Sequence, residues 1–130
     1  MRLVFISDTH NLHRHYGLDP WGNIPDGDIL IHCGDVTTHG SLEELLTFQT
    51  WFAKQPHQRK MWIGGTHDRC LDKPDAPALW RTSDLIYLQE SGAMLDGVTF
   101  WGSPYTPDHH DFAFQLHDQA EMHWSKIPAG

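Results

Sequence analysis

Residues 3–10 read Leu-Val-Phe-Ile-Ser-Asp-Thr-His, an apolar run that turns abruptly polar. A short run of this kind, rich in β-branched residues, predicts a buried strand that opens into a loop. The same pattern recurs at 29–35 (Ile-Leu-Ile-His-Cys-Gly-Asp) and at 61–68 (Met-Trp-Ile-Gly-Gly-Thr-His-Asp). In layered α/β sheets, ligands gather at the carboxyl ends of the strands. We therefore expect the three polar clusters to converge on one site.

A helix is predicted between the second and third of these strands, over residues 42–54. Its apolar residues recur near helical spacing, Ser41 and Glu44 form a capping-box pattern at its start, and Pro56 would end it. A strand, a helix and a strand in this order form a crossover unit, which makes the strands parallel. The chain is therefore predicted to be a single α/β domain over 1–130.

The second half of the chain carries weaker patterns. They predict helices over 76–81 and 119–126, strands over 85–88 and 98–101, and a loop over 102–111. The last helix is expected to start from Asp118, with Glu121 completing a second capping box.

The charge balance limits the partners that the chain can bind. Its formal charge is −8, which disfavours non-specific binding to nucleic acid or to an anionic membrane. No apolar run approaches the roughly 18 residues of a membrane span. The start of the chain turns polar too early for a signal peptide, so a cytoplasmic protein is expected.

Three groups of residues are candidate metal ligands or catalytic groups: Asp8 with His10, Asp35, and His67 with Asp68. Just past the first strand we expect an extended backbone, which points alternate side chains the same way and lets the carboxylate of Asp8 and the imidazole of His10 share one ion. Taken singly, each group is also typical of an ordinary turn with a surface histidine. Their coincidence at three strand ends favours a metal site.

The order Ser-Asp-Thr-His (7–10), Gly-Asp (34–35) and Gly-Gly-Thr-His-Asp (64–68) resembles the calcineurin-like metallophosphoesterases. Residues 101–105 and the segment through 124–128 resemble one branch of that family, the small MPPED-type phosphodiesterases. The resemblance implies a layered, mixed sheet with parallel central strands and flanking helices. It also implies a phosphoesterase that favours small phosphodiesters and uses one or two divalent ions, drawn from Mn²⁺, Fe²⁺, Zn²⁺ and Mg²⁺.

The resemblance further implies roles for single residues. Asp8 and His10 would hold a first ion, and Asp35 would bridge it to a second. His67 would lie near the scissile ester as a proton donor or transition-state stabiliser, with Asp68 orienting its ring.

Two more residues receive expectations on the same grounds. Thr66 stands where the family usually has asparagine. A neutral hydroxyl is a poorer ligand than an amide oxygen, so a weaker second metal site is expected. Asn11 would contact the phosphate ester. Arg69, for the separate reason that it adjoins His67 and Asp68, could meet the phosphate as well, with a solvated surface charge as the alternative.

The family's last motif, which supplies further histidine ligands, has no match before Gly130, so the resemblance implies a C-terminally truncated domain. His39, His109 and His110 are candidates to replace those ligands, with a plain surface position as the alternative for each. A second copy of the chain could instead pair with an exposed sheet edge and form a homo-oligomer. Two other functions stay open: a catalytically degenerate metal-binding or protein-interaction module, and a nuclease, which the acidic balance disfavours.

Overall fold

The computed structural model describes residues 1–12, 24–76 and 84–129. The described strands are β1 (Leu3–Ile6), β2 (Ile29–His32), β3 (Arg59–Trp62), β4 (Ile86–Tyr87), β5 (Ser91–Leu95) and β6 (Val98–Gly102). The described α-helices are α1 (Leu42–Ala53) and α2 (Ala120–Trp124). Apart from its first residue, the helix predicted over 76–81 lies outside the described residues.

The first four strands form one sheet in the order β1-β2-β3-β4, and every pair in it is parallel. This confirms the parallel arrangement expected from the strand, helix and strand order. In the register of the sheet, Leu3 lies opposite Ile29, which lies opposite Arg59. The carboxyl ends of β1, β2 and β3 therefore lie side by side.

Strands β5 and β6 pair antiparallel in a separate two-stranded sheet. The sequence analysis predicted β6 but not β5. The two strands are joined by Asp96 and Gly97, whose φ angles are +50° and +80°. Positive φ at both positions is typical of a two-residue hairpin turn, and Asp-Gly is among its commonest sequences.

Helix α1 begins as predicted. Ser41 accepts a hydrogen bond from the Glu44 backbone, and the Glu44 carboxylate bonds back to Ser41. The helix packs fully buried aromatic and aliphatic side chains, among them Phe48 and Phe52, against one face of the sheet, where Leu30 and Trp62 lie. Burial of each such side chain stabilises the fold by about 1.5–3 kcal/mol.

The other face of the sheet is covered by the hairpin. Ile29 and Met61 point to this side and pack with Leu88, Leu95 and Phe100. The domain therefore has three layers, with a helix on one face of the parallel sheet and a small sheet on the other. Both faces hold the strands in place, which fixes the loops at their carboxyl ends.

Helix α2 is shorter than predicted, and its expected capping box is wrong. The residue before it is Gln119, which makes no side-chain capping bond. The buried side chain of His123 anchors the helix, because its Nδ1 lies 2.5 Å from Glu90 Oε1 and its ring lies 3.9 Å from that of Tyr105. A tertiary contact, which no local pattern reports, therefore sets the position of the helix.

Among the helices of the described part of the chain, none is long and apolar enough to cross a membrane.

We expect Glu90→Gln to destabilise the protein by about 1 kcal/mol at pH 7, and by less in acid. Burial pushes the pKa of Glu90 upward, but hydrogen bonds from Lys126 and His123 outweigh it, and the net pKa is lowered. The stabilisation is therefore complete above the unfolded-state pKa of about 4.3. It is lost as the pH falls through the lower pKa of the folded state.

Denaturant unfolding of wild type and variant at pH 7 and at about pH 3 measures this difference. Glu121→Gln, at an exposed position of α2, is the matched control. A stability difference that is the same at both pH values would contradict the assignment.

Candidate metal centre

Three loops leave the carboxyl ends of β1, β2 and β3 and lie against one another. Backbone hydrogen bonds of 3.0 Å join the first loop to the second, from Asp8 N to Gly34 O, from His10 N to Asp35 O and from Asn11 N to Val36 O. The parallel pairing of β1 with β2 thus continues beyond the strands. As a result, residues from two distant parts of the sequence are held at fixed separations.

Four residues of these loops have a left-handed backbone: Asp8, His10, Asn11 and Asp35, with φ of +55°, +42°, +62° and +54°. Such angles are uncommon for residues other than glycine and persist where the surrounding structure enforces them, often at functional sites. The extended backbone expected for Asp8 and His10 is therefore wrong. The bonds between the loops, and not strand alternation, set the direction of these side chains.

Gly65 is required where the second and third loops meet. A Cβ at this position would lie less than 3.0 Å from both Asp35 Oδ1 and Asp35 N, closer than real Cβ atoms approach other atoms. No side chain could fit there unless the loops separated. The close approach lets Asp35 accept hydrogen bonds from the third loop.

One ligand atom each from His10, Asp35 and His67 lie within 4.8 Å of one another, a spacing at which all three could contact one metal ion. The two imidazole rings meet edge to face, with centroids 4.5 Å apart. Each of the three side chains is partly buried. The loops thus bring together residues that are 25 and 32 positions apart in the sequence.

Both imidazole rings are held by backbone carbonyl oxygens. Nδ1 of His10 lies 3.1 Å from Thr37 O, and Nδ1 of His67 lies 2.9 Å from Thr38 O. A carbonyl oxygen only accepts, so each Nδ1 carries the proton and each Nε2 keeps a free lone pair for a cation. Two such nitrogens and a carboxylate oxygen suit a divalent transition metal, so these residues fit the ion that the motifs imply.

The Asp35 carboxylate has one oxygen on each side of this cluster. Oδ1 accepts a hydrogen bond from His67 N at 3.0 Å and lies 3.4 Å from the Thr66 hydroxyl. Oδ2 lies 3.9 Å from Nε2 of His10. Thr66 thus lies beside Oδ1 of Asp35, whereas His10 lies nearer Oδ2.

Asp8 lies at the rim of the cluster. Its Oδ1 is 3.9 Å from His10 Nε2, but its side chain is 65% exposed. The hydroxyl of Ser7 makes a short hydrogen bond to Oδ2. The three-ligand cluster of the described residues therefore contains His67, which the sequence analysis placed in proton transfer, and does not contain Asp8.

Asp68 has a different role in the structure from the one that the resemblance implied. It is fully buried, and its oxygens accept hydrogen bonds from Val36 N, Thr37 N, the Thr37 hydroxyl and Gly65 N at 2.7–3.2 Å. The partner of the His67 ring is Thr38 O instead. The expectation that Asp68 orients this ring is corrected accordingly: Asp68 joins the second loop to the third. Burial raises the pKa of Asp68, and its hydrogen bonds act in the opposite direction.

The model of the calcineurin-like phosphoesterase family matches residues 1–128. The chain belongs to this family. Its members are metal-dependent phosphoesterases, and the layered fold with its parallel central strands agrees with the membership. All three residues of the metal cluster, His10, Asp35 and His67, lie in the segments on which the resemblance was based.

Curated relatives of the chain include three proteins with different names. A probable rhamnogalacturonate lyase C of Emericella nidulans is 38% identical over 98% of the chain and 13% of its own length. A UPF0046 protein of Caenorhabditis elegans is 38% identical over 82% of the chain and 40% of its own length. Metallophosphoesterase domain-containing protein 1 of Homo sapiens is 30% identical over 99% of the chain and 45% of its own length. The chain therefore spans less than half the length of each of these relatives, and the last of them supports the MPPED-type branch.

The residues expected to contact substrate or to replace missing ligands differ in their burial and in their contacts. Asn11 is buried, with 7% of its surface exposed, and among the described residues its Oδ1 has no hydrogen-bond partner. Arg69 is exposed and donates a hydrogen bond to Asp111 O at 2.5 Å. His39 is exposed as well. His109 and His110 lie against Phe112, which in turn contacts His67, and they are not part of the three-ligand cluster.

Sequence reasoning missed a buried pair that supports the site. His32, the last residue of β2, is fully buried, and its Nε2 lies 2.9 Å from the Thr9 hydroxyl. Gly34 N donates to its other nitrogen at 3.3 Å, so Nε2 carries the proton and donates to Thr9. This pair ties the Asp-Thr-His loop to the end of β2. The signal available beforehand was a histidine ending an otherwise apolar strand.

Proposed function

We propose that this calcineurin-like phosphoesterase domain is a metal-dependent phosphodiesterase that acts on a small phosphate ester. The observation that supports it most is the His10, Asp35 and His67 cluster, with both Nδ1 atoms engaged by carbonyl oxygens. A side chain held in this way keeps one tautomer and one orientation toward an ion. The cluster therefore has the preorganisation that a metal centre requires.

His10, Asp35 and His67 would hold one divalent ion, and Asp8 at the rim could serve as a further ligand. Asp35 Oδ1 lies beside Thr66 and Oδ2 lies nearer His10, so a second ion would lie next to Thr66. It would be bound more weakly, because a threonine hydroxyl is a poor ligand. The imidazoles favour Mn²⁺, Fe²⁺ or Zn²⁺ over Mg²⁺, which prefers oxygen ligands.

The ion, when bound, supplies Lewis acidity and makes water nucleophilic near neutral pH. In the hydrolysis, a water oxygen forms a bond to phosphorus, the bond from phosphorus to the leaving oxygen breaks, and that oxygen takes up a proton. His67 would give its Nε2 lone pair to the ion while its Nδ1–H donates to Thr38 O, so the leaving oxygen would take its proton from water and not from His67. Arg69 adjoins the third loop and presents an exposed cation toward an incoming anion.

A diester is favoured over a monoester on grounds of charge. Asp8 and Asp35 both face His10, so the site is acidic before an ion binds. A monoanionic diester meets less repulsion there than a dianionic monoester does.

Replacing His10 tests the metal centre directly. We expect the chelator-stripped protein to gain hydrolysis of bis(p-nitrophenyl) phosphate when Mn²⁺, Fe²⁺ or Zn²⁺ is added, with less hydrolysis of p-nitrophenyl phosphate. His10→Ala should lower kcat/KM by more than about 100-fold, because even residues that only support a ligand change affinity or activity by 10–100-fold. His39→Ala, at an exposed histidine, should stay close to wild type.

A second candidate is a metal-binding or interaction module without turnover, which Thr66 favours because it weakens the second metal site. Metal analysis beside the activity assay separates the two. Stoichiometric metal with no hydrolysis under any ion would favour the module. Hydrolysis that survives both metal removal and His10→Ala would overturn the metal centre.

A further inference from the structure

Residues 106–117, the Phe112 segment, dock onto the third loop of the metal centre. Three hydrogen bonds attach it: Ala113 N to Thr66 O at 3.0 Å, Phe114 N to Asp72 Oδ2 at 3.0 Å, and Arg69 to Asp111 O at 2.5 Å. Two of these bonds lie directly next to Phe112 in the sequence. The segment is therefore held beside the site at the position of Phe112.

The backbone of this segment sends neighbouring aromatic residues in different directions. Phe114 is fully buried in the main core, whereas Phe112 is only partly buried and belongs to neither core cluster of the described residues. His110 and Phe114 have φ of +54° and +55°, which is rare for a bulky residue such as phenylalanine. The turn at these two positions keeps Phe112 out of the core.

Phe112 faces the metal centre and begins a column of flat groups. Its ring centroid lies 5.1 Å from that of His67. The His109 ring stacks on it at 5.8 Å with an interplanar angle of 10°, and Arg69 Cζ lies 5.7 Å from its centroid. His109 is exposed. The column therefore runs outward from His67 toward solvent.

A cavity of about 360 Å³ opens on this segment, and Phe112, Tyr105 and Phe114 contribute to a lining that is otherwise polar and includes Asp72 and Asp111. Gln115 and His117 add polar groups at its wall. A volume of this size accommodates a small organic group. Phe112 borders this cavity and also contacts the ring of His67, one of the three residues of the metal cluster.

We propose that the Phe112 column is the binding wall for the leaving group, and that it selects phosphate esters of planar aromatic alcohols over those of alkyl alcohols. This inference rests on the proposed function. A flat π system packs face to face or edge to face with phenylalanine and imidazole rings, while a puckered ring of the same size cannot. Arg69 acts as a positioning residue, because it holds Asp111 and covers the Phe112 ring.

Binding of two matched anions tests the wall without turnover. Phenyl methylphosphonate and cyclohexyl methylphosphonate carry the same charge and differ in the flatness of the ring. We expect the manganese-loaded protein to bind the phenyl compound about tenfold more tightly in titration calorimetry. Phe112→Leu should reduce this ratio to about one, whereas Phe112→Trp should keep it. Phe5→Leu, at an exposed aromatic residue of β1, is the control and should also keep it.

The outcomes separate the two proposals. A phenyl preference lost in Phe112→Leu, with circular dichroism and metal content unchanged, supports the wall whether or not the protein hydrolyses diesters. An equal affinity for the two anions in wild type, or a preference that survives Phe112→Leu, overturns the wall. In that case metal-dependent hydrolysis would still stand on its own assay. Failure of either anion to bind overturns the wall as well.

Discussion

The substitution Asp35→Asn is expected to lower the affinity for the metal ion by more than about 100-fold, and kcat/KM for a phosphodiester at least as much. The Asp35 carboxylate is the anionic member of the three-ligand cluster, and an asparagine would keep its size while removing its charge. Its Oδ1 also accepts the bond from His67 N, so both the ion and the third loop depend on it. The Asp35→Asn protein should be folded and nearly metal-free.

Metal content after dialysis against a fixed free concentration of Mn²⁺, together with titration calorimetry, measures this effect. Asp75→Asn, at an exposed aspartate, is the matched control and should bind metal like wild type. Near-normal metal content in Asp35→Asn would show that the cluster is not the metal centre. The metal ligands would then lie elsewhere in the protein.

Removal of the buried carboxylate in Asp68→Ala is expected to destabilise the protein by about 3–5 kcal/mol. The substitution leaves three backbone N–H groups without their acceptor at a position with no exposed surface, and the Thr37 hydroxyl keeps only its longer bond to His67 O. Hydrogen bonds to charged groups contribute roughly 1.5–3 kcal/mol, and buried donors without partners cost further free energy. The change should lower Tm by on the order of 10 °C.

Unfolding in guanidinium chloride, with a chelator present, measures this loss free of any stabilisation from bound metal. Asp68→Asn should fall between wild type and Asp68→Ala, since the amide oxygen can still accept some of the bonds. Asp75→Ala should change stability by no more than about 0.5 kcal/mol. A similarly small loss in Asp68→Ala would show that the second and third loops hold together without the carboxylate.

The names of the relatives describe proteins that are much longer than the chain. The lyase name belongs to a protein of which the chain matches 13%, so it says nothing of the chemistry of this domain. The match to metallophosphoesterase domain-containing protein 1 covers 99% of the chain and 45% of that protein. The phosphodiesterase assay and the metal analysis therefore address the part of these proteins that they share.

Much of the fold could be predicted from local patterns. The apolar run of β2 defines a strand because a strand buried on both faces has few polar positions. The run of β1 does so as well, although this edge strand is not fully buried as predicted and leaves Phe5 exposed. The capping box at Ser41 and Glu44 marks the start of α1, because it satisfies backbone groups that every helix end leaves open. Strand β5 escaped prediction because Ser91–Leu95 is short and only half buried.

The motifs predicted which loops carry the chemistry, because carboxylate and imidazole groups at strand ends of one parallel sheet must come close together. Their individual positions depended on long-range contacts. Left-handed backbone at Asp8 and Asp35, the carbonyl oxygens that hold His10 and His67, and the burial of Asp68 all arise from bonds between loops that are distant in the sequence. A local pattern contains no information on such bonds, since each partner is ordinary in its own stretch of chain. The sequence thus identifies the candidate residues. Their separations, orientations and burial follow from how the folded loops pack.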